Sequence, residues 1–387
     1  MREENILNAA KIMADKLHPM YKYINLDSGW SDDSIDSYGR FHESKDKFPS
    51  GIKNTINIVH DLGLKFGIYF ISGVPKNAWD ANSPIKGTNY TIRDIVTNRS
   101  AQANAFKDSR YKIDYSIPGS QEYINSQVKL LAEWGVDFIK LDGIVPGSQV
   151  ESGVDCRDDV KAWSNAIKES GRSIWLTLSW KIPLGYISDY QSYANAWRIE
   201  QDVESYDTVL TNWGNIRRNA RQAHIWASNN VHSQGYQDMD SLLIGNGKMS
   251  NLTEGERRAM ISIWAMAGGP LYSGDDLTKL DDYGLYLLTN KEVISIQQKS
   301  NPAKVVKTLN DVQVWCANNK DGTIVVGVVN WGNVDSNVTF DSKQISSSDH
   351  TYGVRDLIEK NNLIDFKNIY NVFIQSHDAK LLLLSKK

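Results

Sequence analysis

Apolar positions near the start of the chain recur at three- and four-residue spacing. Ile6, Ala9, Ile12, Met13 and Leu17 fall on one helical face, which predicts a helix. A short β-rich run follows, Tyr21-Lys-Tyr-Ile-Asn-Leu-Asp27, ending in a carboxylate. Next come a helical stretch over 51–62 and an apolar run, Lys65-Phe-Gly-Ile-Tyr-Phe70. The rhythm then repeats. Tyr123–Trp134 reads as a helix stopped by Gly135, and Asp137-Phe-Ile-Lys-Leu-Asp142 as a strand. Val160–Glu169 is helical up to Gly171, and Ser173–Ser179 is a strand. Ala196–Asp202 is one more strand-like run. Nearly apolar strands alternating with helices predict a parallel sheet covered by helices. At least five such units in ~250 residues fit a (β/α)8 barrel better than an open sheet. With no Gly-x-Gly-x-x-Gly turn, a Rossmann-type dinucleotide site lacks support.

Near Pro302 the texture changes. Lys304–Thr308, Val312–Ala317, Thr323–Asn330 and Lys380–Leu384 are short β runs. Asn-Asn-Lys-Asp-Gly and Ser-Ser-Ser-Asp turns separate them, which predicts a small antiparallel sandwich. The expected domains are therefore a barrel over 1–301 and a sandwich over 302–387. The stretch 73–120 is rich in Asn, Ser, Asp, Pro and Gly, with Trp79, Tyr90 and Tyr111 interspersed. Loops longer than ~15 residues are usually functional or disordered, and the aromatics here favour a folded flap over the barrel mouth.

Composition narrows the picture modestly. Lys and Arg total 43 against 46 Asp and Glu, a net charge of −3. That balance gives no general attraction to nucleic acid or to an anionic membrane. No run approaches the ~18 apolar residues of a spanning helix, and no signal peptide is visible. Cytoplasmic and secreted locations both stay open, and a homo-oligomer is compatible with the sequence. Cys156 and Cys316 lie far apart and are expected to be buried thiols. The 12 Trp and 18 Tyr suit either a large aromatic core or stacking on ligands.

Three strand-like runs end in an aspartate: Asp27, Asp142 and Asp202. In a (β/α)8 barrel the C-terminal strand ends open on one face, so carboxylates far apart in sequence converge. Two carboxylates flanking a bond are what glycoside hydrolysis requires. A single aspartate at such a place equally well caps the next helix. Three on one rim, with Lys140 and Arg198 on the same strands, favour chemistry. The histidines (His18, His42, His60, His224, His232, His350 and His377) form no HxH or HExxH pair. Asp275-Asp276 and Asp281-Asp282 lack EF-hand spacing and are expected to be solvated helix caps. No nucleophile elbow, Walker loop or reactive cysteine context is present.

Several runs together resemble glycoside hydrolase family 27, the α-galactosidase (melibiase) family. They are Tyr23-Ile-Asn-Leu-Asp-Ser-Gly-Trp30, Phe48-Pro-Ser-Gly-Ile52, Gly63-Leu-Lys-Phe-Gly-Ile-Tyr69 and Pro118-Gly-Ser120. Trp134-Gly-Val-Asp-Phe-Ile-Lys-Leu-Asp-Gly143, Gly171-Arg-Ser-Ile174, Trp197-Arg-Ile-Glu-Gln-Asp202, Asp238-Met-Asp-Ser-Leu-Leu-Ile-Gly245 and Gly269–Leu277 continue the series in order. The resemblance implies a barrel with a C-terminal β-sandwich, a retaining mechanism, an oligosaccharide or polysaccharide substrate and no cofactor or metal. It places Asp142 at the nucleophile position and Asp202 at the acid/base position. Lys140 and Arg198 match positions that hydrogen-bond sugar hydroxyls, and Asp27 one that grips the distal hydroxyls. Trp30, Tyr69, Ser179 and Trp180 complete the expected substrate-binding set.

Departures bear on specificity. The family usually has two adjacent aspartates where this chain has Asp27-Ser28. Leu178-Ser179-Trp180 replaces a Cys-Glu-Trp run, and a small Ser there resembles α-N-acetylgalactosaminidases. Ile182 is bulkier than the residue those enzymes use. Gly143-Ile144 follows the nucleophile position, so the family's active-site disulfide is absent. The 73–120 segment resembles a branch that includes enzymes on isomaltosyl or arabinopyranosyl linkages. The family's first strand, with its Gly-Trp-Asn-Ser-Trp-like run, has no counterpart ahead of the first helix. The alternatives are an α-N-acetylgalactosaminidase, an isomaltodextranase-like enzyme, and a non-catalytic carbohydrate-binding relative.

Overall fold

The computed structural model describes residues 2–106, 110–148, 154–229, 234–346 and 350–387. His232 and most of the Ser-Ser-Ser-Asp turn lie outside the described residues. The chain divides into two compact units, Met1–Arg198 and Ile199–Lys387.

The first unit begins with α1 (Glu3–Ile12), extended by one π turn to Leu17. Its parallel strands are β1 (Tyr23–Leu26) and, after α2 (Ile52–Asp61), β2 (Lys65–Ile71). The described residues of the 73–120 segment are folded. It carries β3 (Val74–Pro75), α3 (Lys76–Asp80), α4 (Ile92–Ile95) and β4 (Arg110–Tyr111), with β3 and β4 paired antiparallel. Then come α5 (Ser120–Trp134), β5 (Phe138–Asp142), α6 (Arg157–Ser170), β6 (Trp175–Leu178), α7 (Ile187–Tyr190) and β7 (Ala196–Arg198). The parallel ladder runs β1-β2-β5-β6-β7. Each strand follows its predecessor through a helix, as parallel pairing demands.

Local chemistry explains the boundaries. Gly135 ends α5 at φ 97° and Gly171 ends α6 at φ 70°, a left-handed conformation in which glycine carries no Cβ penalty. In β5, Ile139 and Leu141 are completely buried, while Lys140 and Asp142 share the opposite face two residues apart. The run 196–202 is strand only as far as Arg198. Ile199–Asp202 leaves the ladder, which the apolar–polar pattern alone did not reveal.

The second unit holds α8 (Trp213–Ser228), β8 (Tyr236–Asp238), α9 (Gly247–Ser250), α10 (Glu254–Ala267), α11 (Asp282–Leu288) and α12 (Lys291–Lys299). Beyond Pro302 lie β9 (Lys304–Leu309), β10 (Val312–Asn318), β11 (Ile324–Asn330), β12 (Ser336–Asp341), α13 (Ser342–Ile345), β13 (Tyr352–Asp356), β14 (Asn361–Phe366), β15 (Ile369–Ile374) and β16 (Asp378–Lys386). Six strands form an antiparallel sheet in the order β14-β13-β16-β11-β10-β9, and β12 pairs with β15. Val314, Val326, Val328, Phe340, Tyr352 and Leu384 fill the core between them, all fully buried. The sequence pattern finds β9, β10, β11 and β16, whose apolar runs are continuous. It misses β12, β14 and β15, which carry many exposed positions, and β13, whose buried residues alternate with Gly353 and Arg355. Helix α10 packs on β11 at Gly327, where an added Cβ would lie 2.3 Å from Met266 Sδ.

Cys156 and Cys316 are both free and buried. Asp281 caps α11 and Asp276 caps a 3-10 turn, as expected of helix caps. Asp275 differs. It is buried, accepts from the Gly245 amide at 2.8 Å and Ser273 Oγ at 2.9 Å, and burial pushes its pKa up to about 6. No helix among the described residues is long and apolar enough to cross a membrane.

Candidate active site

Consecutive parallel strands of the first unit bring four predicted residues together as two hydrogen-bonded pairs joined by a cation–ring contact. Asp142, the last residue of β5, is 7% exposed. Its Oδ2 accepts from Tyr69 Oη at 3.0 Å and its Oδ1 from the Gly143 amide at 2.8 Å. Tyr69 is on β2, one strand over. Its phenol is pushed well above its ordinary pKa, first by burial and then by the charge of Asp142, so it remains a donor. The Lys140 ammonium stands over the Tyr69 ring, 5.4 Å from its centre, and 3.0 Å from Asp27 Oδ2. The Ser28 amide donates to Asp27 Oδ1 at 2.7 Å. Asp27 directly follows β1.

Gly143 at φ 72° lets the chain turn sharply behind the carboxylate. A Cβ there would lie 2.9 Å from the Phe106 ring. Phe106 belongs to the 73–120 segment, which is anchored at this end of β5 by the Ala105 amide on Gly143 O at 2.9 Å. The segment thus packs against the strand end that bears Asp142.

The other predicted residues are placed differently. Trp30 is only 3% exposed, with its ring edge-on to Phe70 and Trp134. Its indole donates to Tyr69 O at 2.8 Å, so it braces Tyr69 from the core and presents no open ring face. Ser179 is 1% exposed and Ile182 fully buried. Trp180 is partly exposed, and its amide donates to Ser148 Oγ at 3.1 Å. Arg198, 2% exposed, ends β7 and accepts from the Ile182 amide at 2.8 Å through its carbonyl.

In the second unit Asp202 sits on a loop rather than on a strand. Tyr206 Oη donates to Asp202 Oδ2 at 2.6 Å. The Arg218 guanidinium donates to the Asp202 carbonyl. The next amide, Val203, donates to Asp240 Oδ2 at 2.7 Å. Asp240 and Asp238 are both buried, and Tyr272 Oη lies within 3.2 Å of each. The indole of Trp264 donates to Asp240 O at 2.7 Å. The sequence reading assigned no role to Asp238, Asp240, Tyr272 or Tyr206. A signal existed for the first two, since Asp238-Met-Asp240 lies at the end of a short strand. Tyr272 and Tyr206 carried none. Among the described residues no cluster of three or more His, Cys, Asp or Glu is arranged to hold a metal.

The profile of the family described as "Alpha galactosidase A" matches residues 1–80 and 81–299. That of the "Alpha galactosidase C-terminal beta sandwich domain" matches 309–384. The chain belongs to the α-galactosidase (melibiase) family, glycoside hydrolase family 27. As a member it has the (β/α)8 barrel with a C-terminal β-sandwich, and it is a glycoside hydrolase. Alpha-galactosidase 2 of Arabidopsis thaliana is 30% identical over 95% of this chain and 81% of its own length. Alpha-galactosidase 3 of Hypocrea jecorina is 31% identical over 87% of this chain, which spans 56% of that enzyme's length. Among solved structures, a family 27 β-L-arabinopyranosidase from Geobacillus stearothermophilus superposes with a TM-score of 0.90. It is 30% identical, and the match covers 100% of this chain and 93% of that one.

Proposed function

We propose that this family 27 chain is a retaining exo-glycosidase that removes terminal α-galactose-type sugars by double displacement. Asp142 is its nucleophile and Asp202 its acid/base, within a barrel domain over 1–301 followed by the sandwich over 302–387. The observation that carries the reading is the Asp142 carboxylate, buried at a strand end and held by Tyr69 and Gly143. A nucleophile needs one fixed orientation, and two donors aimed at its oxygens supply it.

In the first step an Asp142 oxygen bonds to the anomeric carbon. The glycosidic C–O bond breaks, and its electron pair passes to the leaving oxygen, which takes the Asp202 proton. In the second step a water gives its proton to Asp202 and its oxygen to the anomeric carbon, and the bond to Asp142 breaks. Two inversions give net retention. This route requires the two carboxyl groups at about 5–5.5 Å, whereas about 6.5–9.5 Å would suit an inverting enzyme. Asp27, Lys140 and Arg198 are the candidates for binding the ring hydroxyls, with Trp30 bracing Tyr69. Trp180 completes the set beside the buried Ser179. The burial of Ser179 and Ile182 argues against room for a 2-acetamido group.

A second reading is favoured by Ser28 and by the likeness to the Geobacillus enzyme. A β-L-arabinopyranoside presents the same ring hydroxyls as an α-D-galactoside but lacks the hydroxymethyl group. Losing the second carboxylate next to Asp27 removes a partner for that group. The deciding experiment is turnover of p-nitrophenyl α-D-galactoside, β-L-arabinopyranoside and α-N-acetylgalactosaminide, and of dextran, with the first-formed anomer read by proton NMR. Retained configuration on either of the first two glycosides is expected. Inversion, or binding without turnover of any substrate, overturns the proposal.

A further inference from the structure

Tyr206 combines three features that bear on Asp202. Its side chain is 79% exposed, its backbone is left-handed at φ 52°, and its hydroxyl donates to Asp202 Oδ2 at 2.6 Å. A non-glycine residue in that conformation is strained and persists only where its surroundings hold it there. Here they do. The Ser205 amide donates to Leu210 O at 2.9 Å, Thr211 Oγ1 to Val203 O at 2.6 Å, and Asn215 Nδ2 to Glu204 O at 3.3 Å. Both flanks of the loop are tied to its own base, and the tyrosine is its exposed tip. Tyrosine joins an apolar ring face to a polar tip, so a ring held at this place can cover a ligand while its hydroxyl bonds the carboxyl.

We propose that Tyr206 is a positioning residue on the leaving-group side. Its hydroxyl fixes the rotamer of the Asp202 carboxyl, and its exposed ring is the surface against which a departing sugar packs. The inference rests on the reading of Asp202 as acid/base and deepens it. Holding the carboxyl in one orientation matters when the leaving oxygen needs a full proton, as a sugar alkoxide does. It matters little for p-nitrophenolate, which departs almost unassisted. Sugar faces carry C–H groups that pack on an aromatic ring, so loss of the ring weakens binding as well.

The test compares melibiose with p-nitrophenyl α-galactoside, or the corresponding arabinopyranosides if those are the substrates. Tyr206→Phe is expected to lower kcat/KM on the disaccharide about tenfold, the loss of one hydrogen bond to a charged group. Its kcat/KM on the aryl glycoside should stay within about twofold, because the second step, in which Asp202 acts as base whatever the leaving group, does not enter that ratio. Tyr206→Ala should add a several-fold rise in KM on the disaccharide alone. Tyr206→Gly relieves the left-handed strain, so it should unfold at the same or a higher temperature while showing the same kinetic loss. Equal losses on both substrates, or no loss on the disaccharide, overturn the role of Tyr206. Asp202→Asn separates the two levels of inference. If it too lacks any leaving-group dependence, the acid/base reading itself has failed, and the role of Tyr206 falls with it.

Discussion

Asp142 and Asp202 are held in opposite ways. Asp142 closes a regular strand, and its partners come from the neighbouring strand and the next amide. Asp202 lies on a loop, and its side-chain donor is a tyrosine four residues on, with an arginine of α8 on its carbonyl. The first arrangement is rigid because the ladder sets it. The second depends on hydrogen bonds within the loop and on the Asp240 carboxylate beneath Val203. A nucleophile performs one attack along one line, which suits a strand end. An acid/base gives its proton to the leaving oxygen and takes one from the water that replaces it, which suits a carboxyl held in one orientation by a donor on its own loop.

The contrast can be broken most sharply by removing each carboxylate. Asp142→Asn should lose at least about 10⁴-fold in kcat on every substrate, because no covalent intermediate forms. Asp202→Asn should lose about 10²–10⁴-fold in kcat/KM on a disaccharide and far less in kcat/KM on an activated aryl glycoside. Steady-state rates on both substrates check this, and matching losses for the two variants would erase the distinction. A smaller effect is expected from Tyr69→Phe. Loss of one hydrogen bond to a charged group costs about 1.5–3 kcal/mol, or roughly 10- to 150-fold in kcat/KM. It should fall equally on good and poor leaving groups, unlike the substitutions at Tyr206. Equal sensitivity to the leaving group at positions 69 and 206 would contradict the division of roles.

The smallest expected effect is a pH dependence in the second unit. His224 Nδ1 accepts from the Val305 amide at 3.2 Å, and burial holds its pKa below the ordinary histidine value of 6.5. The unfolded chain therefore binds the proton more readily than the folded one. Stability from this contact is present above about pH 6.5 and is lost as pH falls below it. Thermal unfolding between pH 7.5 and 5.5 should show a decline that His224→Gln reduces. An unchanged slope in that variant would place the pH dependence elsewhere.

Individual residues show what could be read along the chain. The alternation of helices and apolar strands is a local property, and β1, β2, β5 and β6 appear close to their expected places. Asp27 and Asp142 were legible because they end such strands. Asp202 was legible from its motif, but its strand was drawn four residues too long, since Ile199 is as buried as a strand residue although it leaves the ladder. Trp30 was expected at the rim and instead packs in the core; one-dimensional spacing does not tell an exposed ring from a buried one. The strands β12, β14 and β15 escaped because exposed strands near a sheet edge have little apolar signal, and β13 because Gly353 and Arg355 interrupt its short buried run.

The amino-acid sequence alone determined the barrel-plus-sandwich plan and the family, and it singled out Asp142 and Asp202 as the carboxylates to test. Those rest on short-range periodicity and on motifs that survive without three dimensions. Only the tertiary structure decided how each carboxylate is held. Tyr69 reaches Asp142 across 73 positions, and Lys140 reaches Asp27 across 113. Such partners are chosen by strand register, which no local pattern encodes. Tyr206 is close to Asp202 in sequence, but its contact depends on a left-handed turn that only the folded loop imposes.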